Sequence, residues 1–242
     1  MSKAILAELA PNGVLRAAIN MGNFLLVTGR SPSGDPTGVS PDMALAIGAR
    51  LGVPVQFVPY AKPGELADDA EKGLWDIGNI GAEPARAEKI DFTAAYAEIE
   101  ATYLVPPGSP LKTIAEVDKA GVRIAVSARS AYDLWLERNI KHATLVRANG
   151  GPATLDLLTK DRLDAMAGLR PGLLTDIEKL PGYTILDGQF TAVQQAVGTP
   201  RKNRIGAAFL KAFVEEAKAS GMVASFIDRH AVTGRLSVAP LA

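Results

Sequence analysis

The 242-residue chain contains no cysteine, which excludes disulfide staples, thiolate catalysis and cysteine-held metals. Histidine is nearly as scarce. His142 and His230 lie far apart in sequence with no acidic cluster beside them, so no zinc ligand set is legible and no cofactor is expected. Aromatics make up 6% of the chain, too few for a base-stacking platform. Neither sign of charge is in excess, with 26 basic and 26 acidic residues, so no net field draws nucleic acid or an anionic membrane. No run approaches the roughly 18 apolar residues of a membrane span. The start, Met1-Ser2-Lys3-Ala4-Ile5-Leu6-Ala7-Glu8, has an acid where a secretory leader needs an apolar stretch, so a cytoplasmic chain or a removed leader is expected. A phosphate loop of the form Gly-x-x-x-x-Gly-Lys-Ser/Thr is missing, and without a heptad seam a monomer is expected.

What remains is an ordinary globular composition, 48% apolar and 21% charged. Strand and helix signals alternate along it. A strand over 15–19 is followed by a loop rich in Gly, Ser, Pro and Asp over 29–38. Ser40-Pro41 reads as an N-cap with proline at N1, opening a helix that Gly52 stops. Strands over 53–60 and 75–80 flank a helix over about 64–72, the pattern of a parallel sheet covered by helices. The pattern then restarts, with strands over 101–105, 122–126, 144–148 and 164–167. Helices follow a capping box at Thr113–Glu116 and begin at Ser130, near Pro152 and near Gly172. Strands over 183–186 and 192–197 precede two closing helices, the first capped by Asn203 and striped by Ile205, Phe209, Ala212, Phe213 and Ala217.

The reading is therefore an α/β chain of two lobes. Residues 1–104 begin lobe 1, residues 105–193 form lobe 2, and residues 194–242 return to lobe 1. Crossing strands near 101–105 and 194–197 would form a hinge.

One segment carries a family resemblance. Trp75-Asp76-Ile77-Gly78, then Glu83-Pro84-Ala85-Arg86-Ala87-Glu88-Lys89-Ile90-Asp91-Phe92-Thr93-Ala94-Ala95-Tyr96, resembles a strand aspartate, a Thr-Pro-Glu-Arg run and a hydrophobic-Asp-Phe-Ser/Thr-x-x-Tyr run. That series is characteristic of the extracellular solute-binding proteins of ABC importers, polar amino-acid type. Gly38 to Ala46, and Val122 to Val126 with Ser130, resemble further parts of the same family over residues 15–229. The resemblance implies a type II periplasmic-binding-protein fold with two mostly parallel sheets and two hinge strands. It also implies a periplasmic location, a small carboxylate ligand closed between the lobes, and an ABC permease as partner.

By the same resemblance Arg86 stands where the family's arginine clamps a ligand carboxylate, and a guanidinium fork matches two carboxylate oxygens. The plain alternative is a surface ion pair with Glu83 or Glu88. Ser130 opens a helix whose N–H groups would attract an anion, or is simply a cap. Amino-acid binders of the family carry an aspartate after the second-lobe strand to hold the ligand ammonium. Arg170 stands at about that point, which favours a second carboxylate over an ammonium unless Glu83, Glu98 or Glu100 supplies the charge. Asn20, Asn23 and Phe24 follow the first strand, and Asn79 and Gly81 another, where open α/β sheets bind ligands. Tyr60 and Tyr132 are candidate pocket walls, one of Gln194 and Gln195 is expected to face the cleft, and Trp75 and Trp135 read as core. Two other functions stand beside binding. One is a dehydratase or lyase on the same fold, with Glu83, Glu98 or Glu100 as acid; the other is a cytoplasmic sensor.

Overall fold

The protein is described by a computed structural model over residues 2–242. It divides into two compact units, the chain up to Glu98 with Gln194–Ala242, and Ile99–Val193. In chain order the first contains α1 (Lys3–Leu9), β1 (Leu15–Asn20), a hairpin of β2 (Gly29–Arg30) and β3 (Pro36–Thr37), and α2 (Val39–Leu51). These are followed by β4 (Val55–Tyr60), α3 (Pro63–Asp68), β5 (Ile77–Gly81) and α4 (Pro84–Ala87), after which β6 (Ile90–Val105) runs out of the unit. The second unit holds a 3-10 turn at Ile114–Glu116, β7 (Arg123–Ser127), α5 (Ala131–Asn139), β8 (Thr144–Ala148), α6 (Gly151–Thr159), β9 (Ala165–Leu169), α7 (Arg170–Ile177) and β10 (Thr184–Ile185). The chain returns along β11 (Thr191–Pro200) and finishes the first unit with α8 (Arg204–Ala219), α9 (Met222–Arg229) and β12 (Ser237–Val238).

In the first unit the strand order is β4-β1-β5-β11-β6. β1 is parallel to β4 and β5, and β11 runs antiparallel to β5. In the second, β9 lies between β6 and β7, and β8 edges the sheet; β7 is parallel to both of its neighbours and β6 is antiparallel to β9. Parallel neighbours need covering helices, and both faces are covered. Alternation along β7 sends Ile124 and Val126 into one core with Tyr103 and Leu136, and Ala125 into the other with Leu158 and Met166. In the first unit Trp75, Leu66, Ala18 and Ile80 form one such layer, and the Trp75 indole N–H donates to the Leu66 carbonyl at 3.2 Å.

Four expectations change. The first crossing falls after Glu98 rather than after Leu104, because β6 is one continuous strand. Its Ala97 and Glu98 pair with β12, while Ala101 to Leu104 pair with β9. α2 is opened by Gly38, not by Ser40: Gly38 has φ 146°, and a Cβ there would stand 2.2 Å from the Leu26 carbonyl oxygen. The Ser40 hydroxyl instead meets the Tyr96 hydroxyl at 2.9 Å in the interior. On α8 the buried stripe is Gly206, Ala207, Leu210, Phe213, Val214 and Ala217, with Ile205 48% exposed. The stripe is set by α1, whose Leu9 side chain packs against Gly206. Asn203 does not cap α8 with its side chain, which donates to the Glu8 carbonyl and the Thr199 hydroxyl, and the Glu8 carboxylate accepts the Gly206 N–H at 2.7 Å.

Candidate functional site

Register brings the carboxyl ends of three parallel strands of the first unit level, with Asn20 opposite Tyr60 and Ile19 opposite Asn79. Open α/β sheets present ligand sites at such ends. β5 ends at Gly81, and the chain turns at once into α4. Pro84 fixes the first helical φ, and the Glu83 carbonyl accepts the N–H groups of Arg86 and Ala87, each at 2.9 Å. This one-turn helix folds Arg86 back, so that its Nη1 donates to the Gly81 carbonyl at 2.7 Å. The guanidinium is only 5% exposed and Glu83 only 9%. The bond fixes the plane in which the guanidinium fork is presented.

Asn79 is 1% exposed, and neither its amide nitrogen nor its amide oxygen has a hydrogen-bond partner. Its strand neighbours are Ile19 and Val197. An unsatisfied buried amide costs about 1–3 kcal/mol, and such groups gather where a structure is built to meet something else. Opposite Gly81 on β11 stands Gln195, 3% exposed. The Gln194 carbonyl accepts the Ala82 N–H at 2.7 Å, and its side-chain nitrogen donates to Glu98 Oε1 at 2.9 Å. Asn79, Gly81, Glu83, Arg86 and Gln194 are therefore gathered where β5 meets β11.

The other first-unit candidates serve local turns. Asn20 Oδ1 accepts the Gly22 N–H at 3.1 Å. Asn23 is buried, with Oδ1 accepting the N–H groups of Leu25 and Leu26 at 3.2 and 3.4 Å. Phe24 is exposed beneath the Arg235 guanidinium, 5.7 Å from the ring centre. The Tyr60 hydroxyl donates to Asp69 at 2.9 Å; burial, then that carboxylate, pushes the phenol up to about 12.

In the second unit Ser130 caps α5, its hydroxyl accepting the Asp133 N–H at 3.1 Å. Asp133 in turn accepts the Arg129 N–H and pairs with Arg147 at 2.9 Å. Tyr132 packs on Ala101, Ala131 and Val193. Burial pushes its phenol up, partly offset by the Ser130 and Ser127 hydroxyls. Arg170 is the first residue of α7. Its Nε donates to Glu100 at 2.7 Å, and its Nη2 donates to the Leu186 carbonyl at 3.3 Å and to the Gly188 carbonyl. Its charge is thus already met inside its own unit, which removes the ground for an ammonium being repelled there. Glu98 could be singled out from the sequence only as one of three acids, with Glu83 and Glu100, able to supply a negative charge or an acid, because the first half of β6 was not read as strand. Among the described residues no group of three or more His, Asp or Glu could hold a metal, and no helix is long and apolar enough to cross a membrane.

Comparison with known proteins agrees with this architecture. A family model for bacterial extracellular solute-binding proteins, family 3, matches residues 23–232. The L-cystine-binding protein TcyJ of Escherichia coli (strain K12) is 22% identical over 201 residues, covering 83% of this chain and 75% of that protein. Among solved structures, the ancestral amino acid-binding protein AncCDT-1, a precursor of cyclohexadienyl dehydratase, aligns with a TM-score of 0.74 at 19% identity, over 93% of this chain and 97% of that one. The amino acid ABC transporter substrate-binding protein AbpA of Streptococcus pneumoniae, bound to L-arginine, aligns at 0.73 and 17% identity over 92% and 96%. The two-lobed type II periplasmic-binding-protein fold is that of these neighbours, and the curated relative is a binding protein rather than an enzyme. With most of its length matched, the chain belongs to the bacterial extracellular solute-binding proteins, family 3.

Proposed function

We propose that this protein captures a small carboxylate-bearing solute, an amino acid or a related organic acid, and hands it unchanged to an ABC permease. It acts in the periplasm as a monomer. The observation that carries the reading is Arg86, a buried guanidinium held by the Gly81 carbonyl at the carboxyl end of β5. A carboxylate docking there forms paired charge-assisted hydrogen bonds. The Asn79 amide adds donors and an acceptor beside it. The relatives support the class of solute: one is named for binding L-cystine, and one structure holds L-arginine.

The test is thermal unfolding of dialysed protein with amino acids, dicarboxylates, keto acids and aromatic acids. A ligand at a hundred times its dissociation constant adds about 2.7 kcal/mol, a rise of a few degrees. Arg86→Ala should weaken that ligand at least tenfold. Arg86→Lys, which keeps the charge and loses the fork, should fall between. Wild-type affinity in a folded Arg86→Ala protein would remove the clamp, and recovery of an altered compound would replace capture with catalysis.

A further inference from the structure

The family match ends at residue 232, and the segment after it is tied down along its length. The Arg235 guanidinium lies over Phe24, Leu236 and Ala239 are buried, and Ser237 and Val238 pair with Glu98 and Ala97 of β6. The Ala239 N–H donates to the Tyr96 carbonyl at 3.1 Å. Lys218 of α8 is the anchor. Its side chain is 1% exposed, and its ammonium donates to the Pro240 carbonyl at 2.6 Å and stands 2.7 Å from a Glu215 carboxylate oxygen. The other Glu215 oxygen accepts the Ala242 N–H at 3.0 Å. A lysine taken out of water is costly unless its partners are fixed, so this latch depends on the segment staying in place.

The place where the pairing stops gives the segment a use. β6 lies next to β11, and β12 is a further partner for it at Ala97 and Glu98. Glu98 is the last residue of the first unit, and β6 runs on from there into the second. Backbone held in a ladder opens rarely, and a strand flexes where its partners end. What happens at Glu98 also reaches further. Its carboxylate accepts from the Gln194 side chain at 2.9 Å, the Gln194 carbonyl accepts the Ala82 N–H at 2.7 Å, and Arg86 donates to the adjacent Gly81 carbonyl at 2.7 Å. A shift of β6 at Glu98 is therefore passed through β11 to the chain that presents Arg86.

We propose that residues 235–242, latched by Lys218, are a brace that holds β6 still up to Glu98, so that the crossing strand flexes beyond that residue and Arg86 keeps its place. Lys218 is thus a positioning residue that acts through β12 and β6. The inference rests on the capture reading above and adds to it a segment that lies outside the family match.

The experiment uses the full chain and two variants that undo the brace at different points. Lys218→Met removes the latch, and Ala239→Pro removes the N–H that bonds Tyr96. Amide exchange over 95–98 should quicken about tenfold or more in both, while β1 keeps its protection. Calorimetric titration with the standard amino acids, L-cystine and succinate should show the compounds that the wild type binds weakened about threefold or more in both variants. Unchanged exchange over 95–98 overturns the brace. Quickened exchange there with wild-type affinity overturns the positioning role and leaves the capture reading standing. Loss of protection in β1 as well makes the segment a support of the whole unit, which also overturns the proposal. A wild type that binds none of these compounds takes down the capture reading and the positioning role together.

Discussion

The two units fasten their central strands with the same device at different depths. In the first, the Arg16 N–H donates to Asp76 Oδ2 at 2.9 Å, the Asp76 N–H donates back to the Arg16 carbonyl at 2.9 Å, and Arg16 Nη1 reaches the Gly73 carbonyl at 2.6 Å. In the second, Arg123 and Asp164 repeat the exchange at 2.8 and 3.1 Å, and Arg123 Nη2 reaches the Arg162 carbonyl at 2.6 Å. Burial separates them. The Asp76 side chain is 4% exposed and gripped by two guanidinium nitrogens, whereas that of Asp164 is 41% exposed. The Asp76 hydrogen bond holds the Arg16 guanidinium above its usual range. One hydrogen-bond pattern thus carries unequal weight, because water competes for one pair and hardly for the other.

The largest difference should come from removing the two arginines. Arg16→Met leaves a buried carboxylate without its cation and should cost about 3 kcal/mol. Arg123→Met should cost under about 1 kcal/mol, since Asp164 is solvated. Equal shifts of the urea midpoint would break the comparison. Next come two glycines. A Cβ at Gly198 in the first unit would stand 2.3 Å from Ile90 Cγ2 and 3.0 Å from the Phe92 ring, so Gly198→Ala should cost about 1–3 kcal/mol. At Gly168 in the second, the obstacle is the flexible end of Leu173 at 2.8 Å, and the same substitution should cost under about 1 kcal/mol.

The smallest effect is acid fraying of the capping box in the second unit. The N–H groups of Lys112 and Thr113 hold the Glu116 carboxyl below the usual glutamate range. A depressed folded value gives stability that is present above the ordinary glutamate pKa and lost as pH falls through the folded one. Amide protection over 113–117 should therefore drop on acidification, and Glu116→Ala should remove that pH dependence.

Much of this was legible in the sequence because local chemistry decided it. Residues 144–148 were read as strand to the residue, Gly52 does end α2 in the left-handed region, and the Thr113–Glu116 box is formed. What escaped depends on distant partners. The alanine-rich start of β6 has little strand propensity of its own and is held by neighbouring strands. α1 was not read at all, yet it turns α8 by seating Leu9 on Gly206. At the candidate site, Arg86 could be picked out by the motif around it. That Arg170 is occupied by Glu100, 70 residues away, could not be read from spacing.

The contact between α1 and α8 also bears on how the chain is made. Glu8 meets Gly206 across 198 residues, whereas Ile99–Val193 is one uninterrupted stretch. During synthesis the second unit can leave the ribosome complete and fold while the first still lacks β11, α8 and α9. The first unit must wait for nearly the whole chain, so its early strands face the longest exposure to aggregation and to chaperones.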